Sequence, residues 1–138
     1  MRIEGWERRL GAVIDDARTR PYQLGQHDCF TVACAAVRAL TLDGDLFARW
    51  RGTYSTKDEA HAKILEHAAT FTEFFSNVFG TQPSGVKLAR RGDIVEYFDG
   101  LLIEKHLGVC LGEKTALLGE SGLIFLPTLK CNLCWRID

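Results

Sequence analysis

The sequence of 138 residues lacks the features that mark several large classes of protein. It has only three prolines, no low-complexity segment and no internal repeat. Hydrophobic residues make up 46% and charged residues 25%, which is ordinary for a globular protein. Collagen-like and disordered classes are therefore excluded. A chain of this length buries about two-thirds of its extended surface, so we predict one domain over residues 1–138.

Long apolar runs and a surplus of positive charge are also missing. No run approaches the roughly 20 residues of a membrane-spanning helix. The first seven residues include two acids where a secretory signal is apolar, so we expect no signal peptide and synthesis in the cytoplasm. Lys and Arg number 17 against 18 Asp and Glu, whereas nucleic-acid binders usually carry a basic surplus. We expect neither a membrane span nor a nucleic-acid partner.

The five cysteines do not suit a disulfide framework, because their number is odd and the expected compartment is reducing. Cys131 and Cys134 have the spacing of half a zinc or iron–sulfur site, but no second pair accompanies them. In an extended segment their thiols would point to opposite faces of a sheet. We therefore expect buried apolar cysteines and no metal or other cofactor, with a metal site as the alternative. Cys110 is expected in the core, or alternatively beside a functional site.

The pattern of apolar residues changes from helical to strand-like near residues 81–85. Spacings of three and four predict a helix over Ile3 to Arg18. A second helix, apolar on most sides, is predicted from Asp28 to Leu40. A third begins at Thr56, and a fourth covers Phe71 to Phe79, where a phenylalanine stripe suits either the core or a docking face.

The second half of the chain predicts short strands separated by turns. Because they are too closely spaced for parallel crossovers, they must be antiparallel. The expected fold class is α+β, with N-terminal helices packed on a C-terminal antiparallel sheet. The predicted strands are 93–98 (closing in a hairpin at Asp99-Gly100), 107–111, 115–118, 123–126 and 134–137.

Cys29 has the sequence surroundings of a reactive thiol. It directly follows the proposed N-cap Asp28 and so lies in the first turn of a helix. There the unpaired amide hydrogens and the helix dipole favour a thiolate over a thiol. A cysteine needed for packing alone would more naturally lie in mid-helix, as Cys34 does.

A nucleophilic thiol needs a base, which is usually a histidine from elsewhere in the chain. His106 suits this role, because it is predicted at the head of a strand that would hold its side chain at a fixed height. His61 and His67 lie on a predicted solvated helix face. His27 is too close to Cys29 along the chain to be well placed as its base.

Several segments together resemble the NlpC-type cysteine peptidases, papain-like enzymes that cut the stem peptide of peptidoglycan. The resemblance rests on Tyr22, Gly25, Asp28-Cys29, Arg91-Gly92-Asp93-Ile94-Val95, and the block from His106 to Gly112. It implies a papain-like fold, with Cys29 as nucleophile and His106 as base. It also implies that Tyr22 and Asp28 lie on the substrate side.

The chain departs from the family pattern at three places. Phe30-Thr31 replaces the usual Ser-Gly after the nucleophile, and Leu24 stands where a tryptophan is usual. The polar residue that orients the base from the next strand has no clear match: that segment offers Thr115, with Glu120 just beyond. Loss of the orienting residue can cost several powers of ten in rate.

The chain is most similar to a subgroup of this family from phage and prophage tail genes. The shared features are Trp6 with Arg8-Arg9, His27-Asp28-Cys29, the Arg-Gly-Asp segment, and Cys131 followed by Trp135-Arg136. They imply a virion protein of the tail tip, with other tail-tip or hub proteins as partners and peptidoglycan as substrate. The alternatives are a catalytically inactive plug or adaptor of the tail tip, and thiol-dependent transfer of small acyl groups.

Overall fold

The computed structural model describes residues 1–99 and 104–138. Its helices confirm the predicted helical first half, although the first begins at Trp6 rather than Ile3 because Gly5 has a left-handed backbone, φ 79°. None of the described helices is long and apolar enough to cross a membrane. The four helices are α1 (Trp6–Thr19), α2 (Cys29–Thr41), α3 (Lys57–His67) and α4 (Phe71–Phe79).

The predicted helix ends follow from local capping. Asp28 is the N-cap of α2: its carboxylate accepts a hydrogen bond from the Thr31 amide, and the Thr31 hydroxyl accepts one from the Asp28 amide. Thr56 caps α3 in a similar way, by accepting from the Glu59 amide. Helix α4 ends at Gly80, where the chain turns into the left-handed region.

The second half forms one five-stranded sheet, and the described pairings are antiparallel, as predicted. The second strand begins at Glu104, three residues before the predicted start, so His106 lies inside the strand rather than at its head. The predicted hairpin at Asp99-Gly100 falls partly outside the described residues. In the order β4-β3-β2-β1-β5, the strands are β1 (Ile94–Asp99), β2 (Glu104–Cys110), β3 (Lys114–Gly119), β4 (Gly122–Pro127) and β5 (Leu133–Trp135).

The main core lies between the helices and one face of the sheet. Helix α2 occupies the centre of this layer, packed against α1 on one side and against β2 and β3 on the other. The phenylalanine stripe of α4 belongs to this core: Phe74 and Phe75 are buried, and Phe75 packs near the fully buried Trp135. The core interpretation of the stripe is therefore correct. The sheet contributes Ile94, Leu107, Val109, Ala116, Leu118 and Trp135.

A smaller core lies on the opposite face of the sheet and holds three of the cysteines. Cys110, Cys131 and Cys134 are buried there together with Val95. Cys131 and Cys134 share this core because the segment is not extended throughout: Cys131 precedes β5 at the end of a short 3-10 turn. The expectation of buried apolar cysteines, including a core position for Cys110, is confirmed.

Asp93 joins both ends of the chain to the start of the sheet. It is fully buried, and its carboxylate accepts hydrogen bonds from the Arg2 guanidinium at 3.0 Å and from the amides of Ile137 at 3.0 Å and Arg90 at 2.8 Å. Arg2 also donates to the Ile137 carbonyl at 2.8 Å. The Arg-Gly-Asp segment singled out in the sequence therefore builds the fold.

Candidate active site

The loop before α2 is fixed by the buried carboxylate of Asp28. One oxygen caps the helix, and the other accepts hydrogen bonds from the Gly25 amide at 2.9 Å and from the Tyr54 hydroxyl at 2.5 Å. Gly25 has φ 82°, and a Cβ there would lie 2.0 Å from the Tyr54 carbonyl oxygen. Only glycine fits this close approach. The described contacts thus give Asp28 a positioning role, because both of its oxygens are engaged within the chain.

Cys29 begins α2 and lies against the backbone of β2. Its side chain is partly buried, and its sulfur is within hydrogen-bonding reach of the Leu107 amide. Leu107 directly follows His106, so folding brings the start of α2 to the strand that carries the predicted base. Nearly eighty residues of sequence separate these two elements. Direct contact between the thiol and the imidazole stays a prediction.

The thiol of Cys29 is held in its neutral form. Burial raises the pKa of Cys29 to about 12, and the adjacent Asp28 carboxylate adds to the rise. The amides of Leu107, Cys29 and Phe30 lower that pKa, but they do not outweigh burial. The expectation that the helix start favours a thiolate is therefore wrong. Any attack by this sulfur requires a base that takes its proton.

Tyr22 lies in the same neighbourhood, on the loop that leads into α2. Burial raises the pKa of its phenol well above the ordinary value; ionisation of the neighbouring Cys29 thiol would raise that pKa further, and the carboxylates of Asp28, Glu120 and Glu104 do so. The hydroxyl is therefore a neutral hydrogen-bond donor at ordinary pH. Its place near the thiol suits contact with a substrate, a role that stays a prediction.

His106 is partly exposed and has a carboxylate beside it. Its Nε2 lies 3.8 Å from Oε2 of Glu104, which is two residues earlier on the same strand. The other oxygen of Glu104 is 3.2 Å from Nζ of Lys57, and that ammonium also lies 3.2 Å from Oε1 of Glu120. A chain of charges thus links the start of α3 to the end of β3 and to the candidate base.

The described pairing of β2 with β3 lies at the end of β2 away from His106. It pairs Val109 with Ala116 and Cys110 with Thr115. Thr115, considered from the sequence as a possible orienting residue, is fully buried near the other end of β2 and shares a hydrogen bond of 2.9 Å with Thr128. Glu120, the other sequence candidate, is an ion-pair partner of Lys57.

The glycine of the His-Leu-Gly block is required by packing on the sheet. A Cβ on Gly108 would lie 2.5 Å from the Thr115 methyl carbon and 3.3 Å from a Val95 methyl carbon. A larger residue here would push apart β1, β2 and β3 next to His106. This glycine therefore maintains the strand geometry beside the candidate site.

Three residues of the site were not singled out by the sequence. Tyr54 lies 26 positions from the Asp28 carboxylate to which it donates, and no spacing rule links them. Lys57 and Glu104 are in separate elements, 47 positions apart, and no local pattern links them. A charged side chain two residues before a candidate base is on the same strand face, and that alternation could have identified Glu104.

Two cavities lie apart from these residues. One of about 190 Å³ is lined by residues of α2 that include Thr31, Cys34 and Arg38, on the helix side opposite Cys29. The other, of about 320 Å³, lies between Trp50 and α4. In residues 1–99 and 104–138, no group of three or more His, Cys, Asp or Glu side chains is arranged to hold a metal ion.

Comparison with known proteins gives one match. Residues 1–137 match the family model described as a domain of unknown function, DUF6950. No curated protein and no solved structure gives a significant match. The match covers both halves of the fold, from the Arg2 end to the strand of Trp135. The chain belongs to the DUF6950 family.

Proposed function

We propose that this protein is a papain-like cysteine peptidase of the NlpC type that cleaves peptidoglycan stem peptides from the tail tip of a bacteriophage. The observation that supports the chemistry is the meeting of the Cys29 sulfur with the backbone of β2 next to His106. Tyr22, whose phenol is coupled electrostatically to Cys29 and Glu104, supports a substrate site at the same place.

The reaction begins with transfer of the Cys29 thiol proton to His106. The sulfur then attacks the amide carbonyl, and the amides at the start of α2 stabilise the oxyanion that forms. His106 returns the proton to the leaving amine as the carbon–nitrogen bond breaks. Water hydrolyses the resulting thioester and regenerates the thiol. Because the pKa of Cys29 is raised, proton removal by His106 is an essential part of the attack.

The location in a virion rests on the sequence resemblance. Trp6, the His27-Asp28-Cys29 block and the terminal Trp135-Arg136 carry the similarity to tail-tip proteins, and other hub proteins would be the partners. Neighbouring genes that encode tail hub proteins, and the presence of the chain in purified particles by mass spectrometry, test this location independently of catalysis.

Release of muropeptides from purified peptidoglycan, read by mass spectrometry, tests the activity. We expect release by the wild type and loss of at least about 100-fold with Cys29→Ala and with His106→Ala. His61→Ala is the matched control, because His61 is exposed on α3 and should leave release unchanged. Release that persists in Cys29→Ala would contradict the cysteine mechanism.

The second candidate is an inactive plug or adaptor of the tail tip with the same fold. One observation favours it: the pKa of Cys29 is raised, so the thiol keeps its proton at neutral pH. This candidate predicts no release by the folded wild type and incorporation into particles. It also predicts alkylation of Cys29 by iodoacetamide at a rate that is below that of free cysteine at pH 7.5 and unaffected by His106→Ala.

A further inference from the structure

The carboxylate of Glu104 is placed to act on the imidazole of His106. The two residues alternate along β2 and therefore share one face of the sheet. Their separation of 3.8 Å is too long for a hydrogen bond but fits an ion pair with a protonated ring. Hydrogen bonds among catalytic groups commonly shorten once substrate is bound. Glu104 thus faces Nε2 of the His106 ring.

Lys57 fixes the orientation of this carboxylate. Its ammonium contacts one oxygen of Glu104 at 3.2 Å, and the other oxygen points to His106. The same ammonium is held from the other side by Glu120 at 3.2 Å. Lys57 therefore connects the candidate base to α3, at a lysine that follows the capped start of that helix.

The chemistry of the site needs such a carboxylate. A thiol that keeps its proton must pass it to His106, and the imidazolium that forms is stabilised by a nearby negative charge. In papain-like sites an orienting residue supplies this stabilisation from a neighbouring strand. Here a carboxylate, that of Glu104, lies 3.8 Å from His106 on the same strand.

We propose that Glu104 is the positioning residue of His106, and that Lys57 holds it in place. The proposal rests on the proposed function, since it assigns a role within the same site. It predicts that the neutral imidazole carries its proton on Nε2, directed at Glu104. It also predicts that the charged imidazole is favoured by the Glu104 carboxylate specifically, rather than by the surrounding negative charge in general.

Other titratable groups near the imidazole must be separated from this effect. Tyr97 lies opposite His106 on β1, and Cys29 lies against the next residue of β2. Glu120 is the matched control, because it contacts the same Lys57 ammonium at the same distance as Glu104 does. Glu120→Gln therefore removes an equal charge from the Lys57 bridge without touching the carboxylate that faces Nε2.

An NMR titration of the histidine ring nitrogens tests the proposal without requiring activity. The His106 signals are identified by their loss in His106→Ala. In Glu104→Gln we expect the titration midpoint of His106 to fall by about 0.5 and the Nε2–H form of the neutral ring to decrease. Glu120→Gln should move the midpoint less and leave that form unchanged. High salt should reduce the difference between wild type and Glu104→Gln, because the ion pair is partly exposed.

Two results would overturn the proposal: equal midpoint changes in Glu104→Gln and Glu120→Gln, or an Nε2–H population that Glu104→Gln does not alter. In the hydrolysis assay, Glu104→Gln should lower kcat about 10-fold or more and leave KM nearly unchanged. If the wild type releases no muropeptides, the proposed function fails, whereas the NMR titration still decides the role of Glu104. Retention of the wild-type unfolding midpoint shows that each variant is folded.

Discussion

Two regions of the molecule differ in their electrostatic contacts: the cluster formed by Asp93 with Arg2, Arg90 and Ile137, and the candidate site around Cys29. Asp93 is fully buried, and its hydrogen bonds reach the backbone of both the turn before β1 and the C-terminal end. Around Cys29, apart from the buried Asp28, the charged groups are partly or largely exposed: side-chain exposure is 30% for His106, 37% for Glu104 and 57% for Lys57. The first region depends on its charges for folding, while the second holds its charges near water.

This difference divides the residues of the sequence motifs into those that build the fold and those that form the candidate site. The Arg-Gly-Asp segment and the terminal Trp-Arg segment were singled out as sequence motifs, and Asp93 and Trp135 act through burial and hydrogen bonding to the fold. Cys29, by contrast, lies at the start of α2, and His106 and Glu104 lie on β2. Exposed ion pairs, such as that of Glu104 with Lys57, contribute little to stability. The residues of the candidate site can therefore take part in catalysis without being required for folding.

The largest effect on stability is expected from Asp93→Ala. Removal of the carboxylate leaves the Arg2 guanidinium, 12% exposed, without its ion-pair partner and leaves the buried amide of Ile137 unsatisfied. We expect a loss of about 3 kcal/mol in the free energy of unfolding, measured with urea at pH 7. The control is Asp15→Ala, since Asp15 is 81% exposed and pairs with Arg18 at 3.8 Å. A loss for Asp93→Ala as small as that of the control would remove the distinction between the two regions.

A smaller effect is expected where the Cys29 site meets the buried interior. Tyr54→Phe removes the hydroxyl that donates to the Asp28 carboxylate, and that oxygen keeps only the Gly25 amide. We expect a loss of about 1–2 kcal/mol by urea unfolding. Tyr97→Phe is the matched control, because the Tyr97 hydroxyl makes no hydrogen bond within the described part of the chain. An equal, negligible loss in both variants would show that Asp28 needs no support from Tyr54.

The parts of the fold set by neighbouring residues were predictable from the sequence. The capping carboxylate of Asp28 and the left-handed stop at Gly80 depend on residues within a few positions of each other. Antiparallel pairing followed from the short spacing between strands. The start of β2 was missed because Glu104 and Lys105 interrupt the apolar pattern, although they extend the strand at its exposed end.

The parts of the site that depend on distant residues were not predictable. The pKa of Cys29 is decided by burial against β2, which no local feature of the helix start reveals. The bridge from Lys57 to Glu104 and Glu120 joins three separate elements. Cys131 and Cys134 share one small core because a 3-10 turn precedes β5, a geometry that simple alternation along a strand does not anticipate.

The smallest effect, and the most direct test of the neutral thiol, is the dependence of stability on alkaline pH. The ordinary pKa of the cysteine thiol is 9.0, and in the folded chain that of Cys29 is about 12. Between these values the unfolded chain loses the proton while the folded chain keeps it, so rising pH favours unfolding. From pH 7 to pH 9.5 we expect the wild type to lose about 0.8 kcal/mol more stability than Cys29→Ala, measured by urea unfolding. The comparison between the two proteins cancels the contributions of the buried groups that they share, such as Cys34 and Tyr54, whose pKa values burial also raises.

Equal losses of stability in the two proteins would mean that the folded chain ionises Cys29 as readily as the unfolded chain does. The amides at the start of α2 would then balance burial, and the base would no longer be needed to remove the thiol proton at high pH.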